Sequence, residues 1–83
     1  MVRNKRQRMK QPKVGKLIRE LRQTIGLTQE EFAAEVGVVY PTVNRWENGH
    51  AQPSSMALKL IEMKLEDLGE AGQKLLTKYF AQE

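Results

Sequence analysis

The sequence contains no cysteine and only one histidine, so the side chains that most often bind metals or act as nucleophiles are nearly missing. Without cysteine there is neither a disulfide framework nor a thiolate metal site. His50 has no second metal ligand or nucleophile spaced near it, and no acid–base pair is set for catalysis. We therefore expect a protein that is not an enzyme and that holds neither a metal ion nor another cofactor.

Long apolar runs are also missing. None approaches the length of a membrane span, and no apolar stretch near the N-terminus suits a signal peptide. These absences favour a soluble protein of the cytoplasm with no membrane partner. The 83 residues are enough for one small domain with a single hydrophobic core.

Acidic residues are absent from the first thirteen positions. Residues 1–13 carry six positive charges, whereas residues 14–83 have a net charge of −2, although the whole chain is at +4. Because residues 1–13 show no helical spacing of apolar side chains, we expect them to form a basic arm that is flexible when free. Any affinity of the remaining residues for a polyanion must come from a local patch.

Two segments outside the middle of the chain show clear helical spacing of apolar residues. The first predicts a helix over 14–24. The second follows Pro53 and predicts a helix that Ser54 or Ser55 caps and that runs to about Glu66.

Gly69 and Gly72 break or bend the pattern of apolar residues, and a last helix is expected over 70–81. Its apolar residues should form a broad exposed face, and such a face needs a cover. They are Leu75, Leu76, Tyr79 and Phe80.

Two short helices joined by a tight turn are predicted in the middle of the chain. Thr28 and Glu31 form a capping box, so the first of these helices should begin one residue after Thr28. Gly37 should end it, because glycine adopts the backbone angle of a helix end without a steric cost. Pro41 suits the first turn of the second helix, and Trp46 should be buried on its inner face. This pattern is typical of a helix-turn-helix motif.

Three runs of the sequence carry a family resemblance: Leu-Thr-Gln-Glu-Glu-Phe-Ala, Val-Gly and Thr-Val-Asn-Arg-Trp-Glu-Asn-Gly. They resemble the Cro/CI-type (XRE) family of helix-turn-helix regulators, with a likeness over residues 14–68. The resemblance implies an all-α, lambda-repressor-like bundle, and we expect about five helices in all. The arm 1–13 before it and the C-terminal helix within residues 69–83, for packing or dimerisation, are predicted from the residues themselves. The resemblance also implies sequence-specific binding of double-stranded DNA by the motif's second helix in the major groove, and regulation of transcription, most simply repression.

Five residues of that second helix are candidates for base contacts. Arg45 can bind guanine O6 and N7 in bidentate fashion. Asn44 can pair with adenine, or it faces a phosphate instead. Tyr40 and Pro41 can contact a thymine methyl group, while Thr42 can use its hydroxyl or its methyl group.

The residue before this helix departs from the usual family pattern. Val39 stands where a serine or threonine cap is common, so about 1 kcal/mol of capping is expected to be missing. Pro41 removes one of the amide donors that a cap would satisfy, which partly offsets the loss.

Other residues are implied to contact phosphates rather than bases. Gln29 begins the first helix of the motif, where a phosphate oxygen is well accommodated, and Asn48 lies in the loop after the second helix. In the family, the basic residue at the position of Arg22 pairs with the acidic residue at the position of Glu47, and its guanidinium stays near phosphate. The alternative is that Arg22 is an ordinary surface arginine.

The basic arm has two interpretations. It either follows phosphates or enters the minor groove beside the bound site, or it is a solvated tail that only aids solubility. On the first interpretation its phosphate contacts come from Arg3, Lys5, Arg6, Arg8 and Lys10.

The last helix leaves two further questions open. Its apolar face either folds back on the domain or meets its copy in a two-fold homodimer on paired half-sites. The alternative function is an antitoxin or another protein-interaction module, in which this helix holds a toxin or other protein while the motif regulates its own gene.

Overall fold

The structure, a computed structural model, describes residues 9–80. Over that range it consists of five α-helices without strands: α1 Lys13–Thr24, α2 Gln29–Val36, α3 Tyr40–Glu47, α4 Ser55–Asp67 and α5 Glu70–Tyr79. The predicted all-α class is confirmed. None of these helices is long and apolar enough to cross a membrane, and residues 9–80 contain no cluster of acidic and histidine side chains that could hold a metal ion.

The two helices of the motif begin and end where the sequence predicted. The Thr28 hydroxyl accepts a hydrogen bond from the Glu31 amide at 3.1 Å, and the Glu31 carboxylate accepts one from the Thr28 amide at 2.8 Å, so the capping box is complete. Gly37 ends α2 with a φ of 76°, which glycine adopts without strain. Phe32 and Val36 point from α2 into the core.

Helix α1 packs on α3, α2 packs on α3 and α4, and α5 closes the core against α1 and α4. Leu17, Ile18 and Leu21 of α1 are fully buried, as are Val43 of α3 and Ile61 of α4. Burial of such side chains contributes roughly 1.5–3 kcal/mol each, so short helices that are unstable alone are held by their common core.

The packed part of the chain begins earlier than expected, because Met9 is only 1% exposed and belongs to the core. Its carbonyl oxygen accepts a hydrogen bond from Gln52 at 2.8 Å. The prediction of a flexible arm through residue 13 is therefore wrong for residues 9–13. The reason is a tertiary contact that helical spacing does not reveal. The rest of the expected arm, including Arg3, Lys5, Arg6 and Arg8, lies outside the described residues.

The apolar face of α5 is packed inside the domain, which is the first of the two alternatives left open for its cover. Leu75 is buried, and Leu76, Tyr79 and Phe80 are half-buried against the core. Two polar contacts hold the end of α5 on α1: the Lys78 ammonium lies 3.0 Å from the Glu20 carboxylate, and the Tyr79 hydroxyl donates to the same group.

Gly69 separates α4 from α5, as predicted, with a φ of 60°. Gly72, which was expected to break or bend the helical pattern, lies inside α5, within the helix predicted over 70–81. A Cβ atom at Gly72 would overlap the backbone carbonyl of Leu65, so the missing side chain lets α5 lie directly against α4.

Candidate nucleic-acid interface

Helix α3 has one buried face and one face open to solvent. Val43, Trp46 and Glu47 are between 0% and 6% exposed and hold the helix against α1 and α2. The burial predicted for Trp46 is confirmed. The five residues predicted to contact bases lie elsewhere on the helix: Tyr40, Pro41 and Arg45 are exposed, and Thr42 and Asn44 are half-buried.

The buried carboxylate of Glu47 is the electrostatic centre of this region. Its Oε2 accepts from Arg22 Nε at 2.6 Å, and its Oε1 accepts from Arg22 Nη2 at 3.0 Å, which is a bidentate pair. Gln29 Nε2 donates to Oε1 at 2.9 Å, and Arg19 Nε lies 3.4 Å from the same oxygen. The carboxylate therefore links the end of α3 to the last turn of α1 and the first turn of α2.

These contacts determine the charge states of Glu47 and Arg22. Burial raises the pKa of Glu47, but the donors from Arg22, Gln29 and Arg19 outweigh burial, so the pKa lies below its usual value. The Glu47 carboxylate in turn raises the pKa of Arg22. The Glu47 carboxylate is thus ionised, and its negative charge is balanced by Arg22 within the domain. It therefore does not act as an unpaired negative charge that would repel a polyanion.

The pairing of Arg22 with Glu47, which the family resemblance implied, is present. Arg22 Nη1 also donates to the Leu27 carbonyl at 3.0 Å. Three of the five N–H groups of this guanidinium are therefore used within the domain, and its side chain is 15% exposed. Arg22 is not an ordinary surface arginine, since it fixes the loop before α2 and the end of α3 together.

The other described residues that were predicted to contact phosphate are Gln29, Asn48 and Lys10. Gln29 is half-buried at the start of α2 and Asn48 is exposed just after α3. Asn48 Nδ2 donates to Asn44 Oδ1 at 3.0 Å, and Arg19 Nη2 lies 3.4 Å from Asn48 Oδ1. Lys10 is exposed.

Residues before α1 are hydrogen-bonded to the loop after α3. The Gln11 side-chain amide donates to the carbonyl oxygens of Trp46 at 2.8 Å and Ala51 at 2.6 Å, and its oxygen accepts from the Gly15 amide at 3.1 Å. The Gln11 backbone amide donates to Gln52 Oε1 at 3.1 Å. The chain therefore enters the domain beside the loop that leaves α3.

Gly15 marks a close approach of α1 to the end of α3. A Cβ atom at this position would overlap the Trp46 carbonyl oxygen, well inside van der Waals contact. The absence of a side chain at Gly15 thus sets how near the end of α3 lies to the start of α1.

Val39, the N-cap of α3, makes no side-chain capping bond, as the sequence predicted. Its backbone is extended, with φ −90° and ψ 157°, and Pro41 follows in the first turn. Val39 is 65% exposed and Tyr40 is 44% exposed, so apolar side chains lie on the surface at this end of the helix.

Three residues of this region were not predicted from the sequence. Gln11 and Gln52 lie 41 positions apart, and no local pattern connects them. Arg19 lies three residues before Arg22, on the same side of α1, and this helical spacing was a signal that could have found it.

A family model described as helix-turn-helix matches residues 18–69, which include α2, α3 and α4 entirely. This is more than half of the chain, and the chain belongs to the helix-turn-helix family; the XRE-type resemblance is confirmed. A curated relative from Methanothermobacter thermautotrophicus, named an uncharacterized HTH-type transcriptional regulator, is 53% identical over 38 residues. That match covers 46% of this chain and 55% of the relative, so it spans about half the length of each. No solved structure matches the chain.

Proposed function

We propose that the protein binds double-stranded DNA sequence-specifically, with α3 in the major groove, and regulates transcription by occupying an operator. The observation that carries the proposal is the arrangement of α3, whose outer face is exposed while its inner face is held rigidly in the core. A major groove about 12 Å wide admits such a helix. The family and the name of the relative support the same role.

In this proposal two groups of residues have different tasks. Tyr40, Pro41, Thr42, Asn44 and Arg45 read base edges, because they lie on the parts of α3 that the core does not cover. Gln29, Asn48 and Arg22 orient the domain on phosphates. For Arg22, the two N–H groups that take no part in the bonds to Glu47 and Leu27 are the donors for phosphate.

Replacing Arg45 by alanine tests the base-reading role. Sequences bound by the native protein are first selected from random duplexes, and the selection is then repeated with Arg45→Ala. We expect preference for guanine to disappear at one position, with a loss of about 1–3 kcal/mol for the best site. The Arg45 side chain is exposed and makes no hydrogen bond within residues 9–80, and its backbone bonds are kept in alanine, so the fold should be unaffected.

The matched control is Lys59→Ala, which removes an exposed positive charge from α4. It should leave the selected sequence unchanged. If Arg45→Ala weakens all sequences equally, Arg45 contacts phosphate and its base-reading role is wrong. If the native protein selects no sequence at all, the proposed function fails.

Deleting residues 1–8 tests the arm. This deletion removes Arg3, Lys5, Arg6 and Arg8 and stops before Met9, whose side chain the core requires. Each phosphate contact contributes about 0.9 to the magnitude of the slope of log K against log salt concentration. Because four basic residues are removed, we expect this magnitude to decrease by up to about 3–4. The measurement is DNA affinity at several salt concentrations. An unchanged slope would leave the arm as a solvated tail.

Repression is the simplest consequence of operator occupancy, and we include a homodimer on paired half-sites in the proposal. Such a role requires a location with the DNA, in keeping with the cytoplasmic one expected from the sequence. The apolar side chains of α5 pack on the protein's own core, so nothing in the structure favours their use in holding a toxin or other protein partner.

A further inference from the structure

The end of α3 that would enter the groove first carries an unusual surface. Val39, Tyr40 and Pro41, called here the apolar tip, are consecutive and all exposed. Val39 is 65% and Tyr40 is 44% exposed. The other exposed large apolar side chains among residues 9–80 are Met56 and Met63, both on α4.

Folding does not account for the valine in this tip. The N-cap position of a helix is stabilised by a side-chain oxygen that accepts from the first-turn amides, and Val39 has none. In α2 and α4 the equivalent positions hold Thr28 and Ser54, and both make the capping bond. Val39 thus forgoes a local stabilisation and exposes its methyl groups to water. Where a residue breaks a local rule without a gain in the fold, a binding role is the first expectation.

The surroundings of the tip indicate what covers it. Pro41 and Arg45 lie four residues apart on the outer face of α3, so a ligand that reaches Arg45 also reaches the tip. In the major groove, guanine offers the acceptors that Arg45 can bind, and the C5-methyl group of thymine is the apolar group on the base edges. Val39 has no polar side-chain atom and Pro41 has no amide hydrogen, so the Tyr40 hydroxyl is the one polar side-chain group of the tip.

We propose that Val39 is a specificity-determining residue and that the apolar tip reads the C5-methyl groups of pyrimidines next to the guanine contacted by Arg45. This inference rests on the proposed function. It adds that the ligand is recognised by its methyl group, whichever pyrimidine carries it. Cytosine methylated at C5 presents the same group at the same place in the groove, so it is recognised in preference to unmodified cytosine.

The test uses the full chain and a duplex selected from random sequences. Each thymine of that duplex is replaced in turn by deoxyuridine, which lacks only the methyl group. We expect affinity to fall about fourfold at the contacted position, since burial of one methyl group is worth ~0.8 kcal/mol and tenfold is worth 1.4 kcal/mol. At the same position, 5-methylcytosine should bind about fourfold more tightly than cytosine.

The variant Val39→Ser tests whether Val39 makes the contact with the C5-methyl group. Serine removes both methyl groups and can cap α3, so the variant should fold. The ratio of thymine to uracil affinity should fall close to one at the contacted position, while preference for guanine through Arg45 persists. The control Met63→Ser removes an apolar side chain that is 50% exposed on α4, and it should leave the ratio unchanged.

The outcomes separate the two proposals. If a sequence is selected but every uracil duplex binds like its thymine parent, the methyl readout is wrong and the proposed function stands. If no sequence is selected, the proposed function fails. If Val39→Ser keeps the full thymine preference, or changes only self-association of the protein, the assignment to Val39 is overturned.

Discussion

Glu47→Ala is expected to destabilise the protein by about 3–5 kcal/mol, because it leaves the Arg22 guanidinium partly buried without its carboxylate partner. The Glu47 side chain is fully buried and accepts hydrogen bonds from α1 and α2 at once. Small domains are stable by only about 5–15 kcal/mol, so the variant should be close to unfolding at room temperature. Urea unfolding at pH 7, followed by circular dichroism, measures the effect.

The double variant Arg22→Met with Glu47→Leu is the control for this prediction. Replacing both members of a buried ion pair by apolar side chains is often neutral or stabilising, so most of the lost stability should return. DNA affinity should not return fully, since α3 would lose the bidentate contact that fixes its orientation. If the Glu47→Ala variant unfolds at the same urea concentration as the native protein, the ion pair does not hold α3 in place.

The same group predicts how stability depends on pH. The pKa of Glu47 in the folded protein lies below its ordinary value of 4.5, because hydrogen bonds from Arg22, Gln29 and Arg19 outweigh the effect of burial. Its contribution is therefore fully present above about pH 4.5 and is lost as the pH falls through the folded pKa. Glu47→Gln should remove this part of the pH dependence, which urea titrations between pH 3 and 7 would measure.

Local signals in the sequence were sufficient to predict most of the fold. The capping box of Thr28 and Glu31, the helix end at Gly37 and the burial of Trp46 are all present. Each depends on residues within about four positions of one another, where backbone geometry and side-chain spacing act directly. Helix α1 begins one residue before the predicted position.

The errors arose where a distant partner decides the outcome. Met9 is isolated in a basic segment, and only the completed core shows that it is buried. For the face of α5 the sequence left two alternatives open, because nothing local indicates that Glu20 of α1 receives Lys78 and Tyr79. Gly72 was expected to break or bend the pattern, and the sequence did not show that its missing side chain permits the close approach of α5 to α4.

In the candidate site, too, the features with local signals were predicted and those that depend on distant residues were not. The motif predicted which face of α3 is outward, and the family pattern implied the pair of Arg22 and Glu47. The bonds of Gln11 to the loop after α3 depend on residues 35 and 40 positions away. The contacts to DNA stay predictions, since they depend on a ligand.

Gly15→Ala is the second change with a large expected effect. Glycine inside a helix is about 1 kcal/mol less favourable than alanine, so helix propensity alone predicts a more stable protein. The new Cβ atom would overlap the Trp46 carbonyl oxygen, a backbone atom that cannot rotate away. Overpacking of this kind costs about 1–3 kcal/mol, and we expect the overlap to outweigh propensity. Urea unfolding of the native protein and the variant gives the sign.

Gly72→Ala is the matched comparison, because its Cβ atom would overlap the Leu65 carbonyl between α5 and α4. Both variants should lose stability by similar amounts. Only Gly15→Ala moves α1 relative to the end of α3, so only this variant should also weaken DNA binding under conditions where both are folded. Equal DNA affinities would mean that the position of α3 does not depend on its contact with α1. A more stable Gly15→Ala protein would mean that the two helices can separate without cost, and the close packing at Gly15 would then not be needed to hold α3 in place.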